Sequence, residues 1–153
     1  MTSENKKIHE CSCGHKHNVN LREISLYKGL VVSLFKVLRW CEENKRQSFD
    51  MKEIKHLLDK NAYARFGDLY LFGLTAKMEK GSYLLKIATC REFFAGYRTI
   101  PHSVLKDPTT GEIIPKEHVH ISSIPNLTEF LDENRQYISQ YRDPISGTQN
   151  LFL

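Results

Sequence analysis

The sequence predicts an α+β fold around one core, on three observations. The chain has 153 residues, 41% hydrophobic and 26% charged, which suits one folded unit and is too apolar for a disordered chain. Through the first half, apolar residues recur at three- and four-residue steps, the mark of helices packed on one side. Further along, the apolar runs shorten, alternate with polar residues and are separated by Gly and Pro, the mark of strands. At this length no second catalytic domain is expected within these residues.

The first stretch, residues 1–20, is polar and lacks apolar periodicity, so something other than a core must order it. From Leu21 to Asn44, the residues Tyr27, Leu30, Val31, Leu34, Leu38 and Cys41 fall on one stripe, predicting a long helix with Cys41 as a small core residue and Trp40 half-buried beside it. Asp50 followed by Glu53 is a capping box, with Phe49 placed to staple onto Ile54, and starts a second helix running to about Lys60. Asn61 caps a third helix whose apolar side holds Tyr63, Phe66, Leu69, Tyr70 and Phe72, and Gly73 ends it. Leu74 to Glu79 and Ser82 to Ile87 read as two strands around Lys80-Gly81, because Gly81 accepts the positive φ of a hairpin turn. Thr89 caps a short fourth helix, Cys90 to Ala95, which Gly96 ends.

Past Arg98 the alternation predicts a second hairpin. It comprises Ile100 to Lys106, a turn over residues 107–111, Glu112 to Ile114, and a strand from Glu117 to Ser122. In that last strand His118 and His120 share a face, the geometry of a His-x-His metal pair, although exposed strand histidines are the plainer reading. Asn126 with Glu129 caps a final helix carrying Leu127, Phe130, Leu131, Tyr137, Ile138 and Tyr141. Tyr137 and Tyr141 lie one turn apart and suit either a homodimer contact or packing on the core. The expected organisation is residues 1–20, a Cys/His segment; 21–98, the main domain; 99–143, hairpin and helix; and 144–153, a tail.

Three short-linked helices followed by a two-stranded hairpin is the order of a winged helix-turn-helix, with the third helix offered to the major groove and the hairpin to the adjacent backbone. The run from Leu74 through Gly81, Tyr83, Cys90-Arg91-Glu92-Phe93-Phe94 and Gly96 resembles the wing and following helix of winged-helix regulators. The resemblance covers about half the chain. The chain resembles more closely a loose group of phage and prophage proteins, through Cys11-Ser12-Cys13-Gly14, Leu26 to Trp40, Gly73-Leu74, and Ile100-Pro101 through Gly111-Glu112-Ile113. The knuckle of that group has two residues between its cysteines, where this chain has one. The resemblance implies a winged-helix core and a mobile-element origin, and no activity.

The net charge is only +4, but residues 1–98 hold 18 basic and 11 acidic side chains while residues 99–153 hold 4 and 7. A basic partner-facing surface is therefore expected in the first two thirds. The candidate DNA contacts are Arg65 for a guanine edge, Lys60, Asn61 and Tyr63 at the start of the third helix, Lys52 and Lys55 on the second helix, and Lys77, Lys80 and Lys86 on the wing. Asp68 on the same helix would repel phosphate. Near the N-terminus, Cys11, Cys13, His15 and His17 offer two thiolates and two imidazoles, the ligand set of a structural Zn²⁺, with His9 or His56 able to replace either histidine. A flexible reduced tail is the alternative.

No Gly-rich phosphate loop, Gly-x-Ser-x-Gly elbow or paired-carboxylate motif occurs, so an enzyme is disfavoured. Cys90, at the start of a helix, is the residual nucleophile. No apolar h-region follows Met1-Thr2-Ser3-Glu4, no stretch suits a membrane span, and four cysteines are too few for a disulfide scaffold. The expected location is the cytoplasm of a bacterial host. Two functions compete: a regulator binding double-stranded DNA, and a phage-type inhibitor or adaptor that turns the same scaffold toward a host protein. A continuous basic face on the third helix and wing favours the first, and an aromatic, mixed-charge face the second.

Overall fold

The protein is described by a computed structural model over residues 6–10, 16–20 and 21–142, the first two stretches as backbone. It is α+β. Strands β1 (Lys6–Glu10) and β2 (Lys16–Asn20) pair antiparallel with His9 opposite His17. Residues 21–27, expected to open the long helix, instead carry strand β3 (Arg22–Ser25). The helix α1 (Lys28–Asn44) begins only after an extended Tyr27, which is 39% exposed rather than on the buried stripe. Leu21, Ile24 and Leu26 are buried while Arg22 and Ser25 are exposed, a pattern that serves a strand once a partner strand exists.

The buried side of α1 carries Leu30, Val31, Leu34, Leu38 and Cys41, as its period requires. Its end is set by Lys45 in the left-handed region, φ 52°, whose N–H reaches the carbonyls of Cys41 and Glu42. Strand β4 (Ser48–Asp50) follows, then α2 (Met51–Ile54), continued as a 3-10 turn over Lys55–Leu57. The capping box forms: the Asp50 N–H donates to the Glu53 carboxylate at 3.0 Å. The second helix is nevertheless shorter than expected, and Lys60 opens the third.

Helix α3 (Lys60–Phe66) is capped by Asp59, not Asn61, the Ala62 N–H donating to the Asp59 carboxylate at 2.8 Å. Capping from 59 lets Ala62 and Phe66 turn inward together. The expected single helix tightens to 3-10 over Gly67–Phe72 and ends on Gly73, φ 78°. Strands β5 (Thr75–Lys77) and β6 (Ser82–Leu85) form the expected hairpin, with Gly81 at φ 80°. Strand β4 adds itself to β6, giving the sheet order β4-β6-β5. Helix α4 (Ile87–Ala95) starts three residues ahead of the expected Cys90, so Thr89 lies inside it, and Gly96 ends it at φ 88°.

The second sheet pairs distant parts of the chain. Strands β7 (Ile100–Pro101), β8 (Ser103–Lys106), β9 (Ile113–Pro115) and β10 (His118–Val119) follow, with β10 on β7 and the order β3-β8-β9 in the sheet. The strand expected to Ser122 ends early, replaced by a 3-10 turn over Ile121–Ser123. The final helix is split into α5 (Thr128–Glu133) and α6 (Arg135–Ser139), with a 3-10 turn over Gln140–Arg142. Asn126 does not cap it; its φ of 66° puts it in the left-handed region, one residue before the observed cap at Leu127.

One core joins these parts. Phe35 of α1 meets Phe94 of α4 at 5.1 Å, Phe130 of α5 at 5.3 Å and Tyr137 of α6 at 5.7 Å, all edge-on. Tyr137 and Tyr141, the pair expected at a homodimer contact or on the core, both donate to Glu42 of α1. Among the described residues no helix is long and apolar enough to cross a membrane.

Candidate nucleic-acid interface

Helix α3 is held against the sheet by aromatic packing. Phe66 meets Phe49 of β4 edge-on at 5.9 Å, and Phe49 stacks on Tyr83 of β6 at 6.0 Å. Gly67 permits this approach, because a Cβ there would lie 2.8 Å from the Tyr83 hydroxyl. With Ala62 and Phe66 inward, the residues left in solvent are Lys60, Asn61, Ala64 and Arg65, with Tyr63 half-exposed. The Lys55 ammonium stands 5.8 Å from the Tyr63 ring centre.

The hairpin tip is tied to the start of α2. The Met51 N–H donates to the Gly81 carbonyl at 2.9 Å, and the Ser82 hydroxyl bonds to the Asp50 carboxylate. Lys52, Tyr63 and Lys80 therefore line one cleft of about 470 Å³, together with Asp50 and Glu79. These are the expected contacts that the fold brings together. Lys86, by contrast, sits at the far end of β6, before α4, away from the tip.

Arg65 opens onto a second groove of about 450 Å³, shared with Tyr27, Asn61, Glu23 and Asp68. Its surroundings are mixed in charge, and Asp68 is itself 3.9 Å from Arg22. Burial raises the Tyr27 phenol, with Asp59 adding to the shift and Arg65 opposing it.

Sequence reasoning missed Tyr70, Lys106 and Arg22. The sequence pattern puts Tyr70 on the apolar side of the third helix and Lys106 in a separate hairpin, yet the Lys106 ammonium donates to the Tyr70 hydroxyl at 3.1 Å. Lys77 of β5 stands over the same ring at 4.2 Å. Burial acts to raise the Tyr70 phenol, but the Lys106 hydrogen bond and the charges of Lys106 and Lys77 outweigh it, leaving the phenol below its ordinary value.

No protein-family model matches this sequence, and no curated protein or solved structure matches it either.

The remaining candidates fall elsewhere. Cys11, Cys13 and His15 lie outside the described residues, and His17 is placed only by its register with His9. Among the described residues no group of three or more His, Cys, Asp or Glu is placed to hold a metal, so His118 and His120 lack further ligands there. Cys90 is not at a helix start. It is fully buried inside α4, its thiol points at the Leu74 carbonyl 3.6 Å away, and burial pushes that thiol up, which makes it a poor nucleophile.

Proposed function

We propose that the chain is a DNA-binding regulator of winged helix-turn-helix type, of phage or mobile-element kind, with α3 in the major groove and the β5–β6 hairpin on the backbone. The observation that carries this reading is the exposed stripe Lys60, Asn61, Ala64 and Arg65 on α3, with Lys55 over the Tyr63 ring and Lys52 and Lys80 in one cleft with Tyr63. The connectivity α1-β4-α2-α3-β5-β6, with β4 closing the sheet beside β6, supports it. Arg65 is the base reader in this account, and the lysines neutralise phosphates.

The test is binding to random duplex DNA across a salt series, with Lys77→Glu/Lys80→Glu as control. The reading requires affinity that falls steeply with salt and is lost in the double variant. Absence of binding at low salt by folded protein overturns it. One observation favours the competing reading, an inhibitor or adaptor for a host protein: Arg65 shares its groove with Glu23 and Asp68, a mixed-charge surface with Tyr27 beside it. That reading predicts no DNA binding and a stoichiometric protein complex lost in Arg65→Glu.

We further propose a structural Zn²⁺ held by Cys11, Cys13, His15 and His17. The β1–β2 register supports it by setting His9 and His17 opposite each other at the base of the stretch that carries the other three residues. Metal analysis should find one zinc per chain, and none in Cys11→Ser/Cys13→Ser; a metal-free wild type overturns it.

A further inference from the structure

We propose that Tyr70, Lys77 and Lys106 form a seat for one backbone phosphate of duplex DNA, which carries the interface beyond α3 and the hairpin onto the β3-β8-β9 sheet. The inference rests on the DNA-binding reading and names a contact outside the unit that suggested it.

Three elements meet at this point. Tyr70 comes from the 3-10 turn that follows α3, Lys77 from β5 of the first sheet, and Lys106 from β8 of the second. The Lys106 ammonium is 3.1 Å from the Tyr70 hydroxyl and 5.8 Å from the ring centre, while the Lys77 ammonium is 4.2 Å from that centre. Two cations are thus gathered around one phenol, and among the described residues neither is in an ion pair with a carboxylate. Asp68, the carboxylate of the same turn, lies toward Arg22 at 3.9 Å. Like charges brought together without a counter-charge repel, and an anion placed between them removes that repulsion.

The donor set fits phosphate. Lys106 donates to the Tyr70 oxygen, so the phenol's own proton remains available to donate outward. Two ammoniums and one hydroxyl are separate point donors, suited to the several oxygens of a tetrahedral phosphate, and lack the planar fork that best matches a carboxylate. Arg22 sits directly across from Lys106 in the strand register and adds a further positive charge on the same sheet. Lys77 belongs to the hairpin strand that adjoins the tip, so a backbone lying along the hairpin reaches the seat without leaving the surface.

The experiment measures duplex binding against salt for wild type, Lys106→Gln, Lys106→Arg, Lys80→Gln and Lys36→Gln, with thermal melts confirming that each folds. Lys36 supplies an equal charge change at an exposed position of α1. One phosphate contact corresponds to a slope change of about 0.9 in log K against log salt. The expected result is a slope shallower by about that amount in Lys106→Gln, restored in Lys106→Arg and unchanged in Lys36→Gln. If Lys80→Gln flattens the slope and Lys106→Gln does not, the seat is wrong and the regulator reading stands. If wild type binds no duplex, both fall.

Discussion

Glu42 of α1 receives the Arg91 guanidinium of α4 through two contacts, 2.8 Å from Nε and 2.6 Å from Nη2, both to the same carboxylate oxygen. The other oxygen accepts from the Tyr137 and Tyr141 hydroxyls at 2.9 Å and 3.0 Å. Both charged side chains are nearly enclosed, 6% and 10% exposed. Burying a carboxylate is costly unless its oxygens are satisfied, and here every donor comes from a different turn of the chain. The knot therefore fastens α1, α4 and the final helices to one another.

Arg91→Met should cost about 3–5 kcal/mol, the usual penalty for leaving a buried charge without its partner. Urea denaturation would measure it. Pairing Arg91→Met with Glu42→Gln should recover part of the loss; a single-variant cost under about 1 kcal/mol would mean that water reaches the carboxylate.

Stability should decline at alkaline pH. Burial, reinforced by Glu42, raises the Tyr137 and Tyr141 phenols, and burial raises the Cys90 thiol and pushes the Cys41 thiol up to about 12. In the unfolded chain thiols lose their protons near pH 8.5 and phenols near 10. Above those values the unfolded state binds fewer protons than the folded one, so the stabilisation is complete below about pH 8 and is lost as pH rises. Each group steepens the decline by at most about 1.4 kcal/mol per pH unit. Tyr141→Phe should flatten the part above pH 10, read from urea midpoints at pH 8 and 10.5.

Thiol titration offers a second check on the core. In a Cys11→Ser/Cys13→Ser background the folded protein should release no equivalents to a thiol reagent, and about two after denaturation, because Cys41 and Cys90 are both buried. A reactive thiol in the folded state that disappears in Cys90→Ser would restore Cys90 as a nucleophile.

Asp59→Ala should destabilise by about 1 kcal/mol through loss of the α3 cap, while Asn61→Ala should change stability far less. Thermal melts of the two variants distinguish the observed cap from the expected one. Because the cap sets where α3 begins, Asp59→Ala should also weaken DNA binding under the regulator reading.

Local chemistry was readable wherever one residue type answers one backbone need. Gly73, Gly81 and Gly96 each take a positive φ at the break expected of them, and Asp50 with Glu53 forms its box. Asp59 and Asn61 are both competent caps two residues apart, and choosing between them required knowing that Ala62 and Phe66 must turn toward Phe49. The lysines around α3 were legible as a group, but Lys106 was not among them. Its contact with Tyr70 spans 36 residues, and nothing in either local pattern announces the other.

Residues 28–44 owe their helix to a periodic stripe that one core-facing side satisfies, and the β5–β6 hairpin owes its turn to Gly81; both needs are met within a few residues, so composition and spacing suffice. Strand β3 is the opposite case. Leu21, Ile24 and Leu26 could serve a helix or a strand equally, and the choice fell to β8, whose backbone hydrogen bonds satisfy Arg22–Ser25 from about 80 residues away. A strand has no hydrogen-bonded structure until its neighbour arrives, whereas a helix bonds to itself, and that is why the helices and turns were written locally while the second sheet, the Glu42 knot and the Tyr70 cluster had to await the fold.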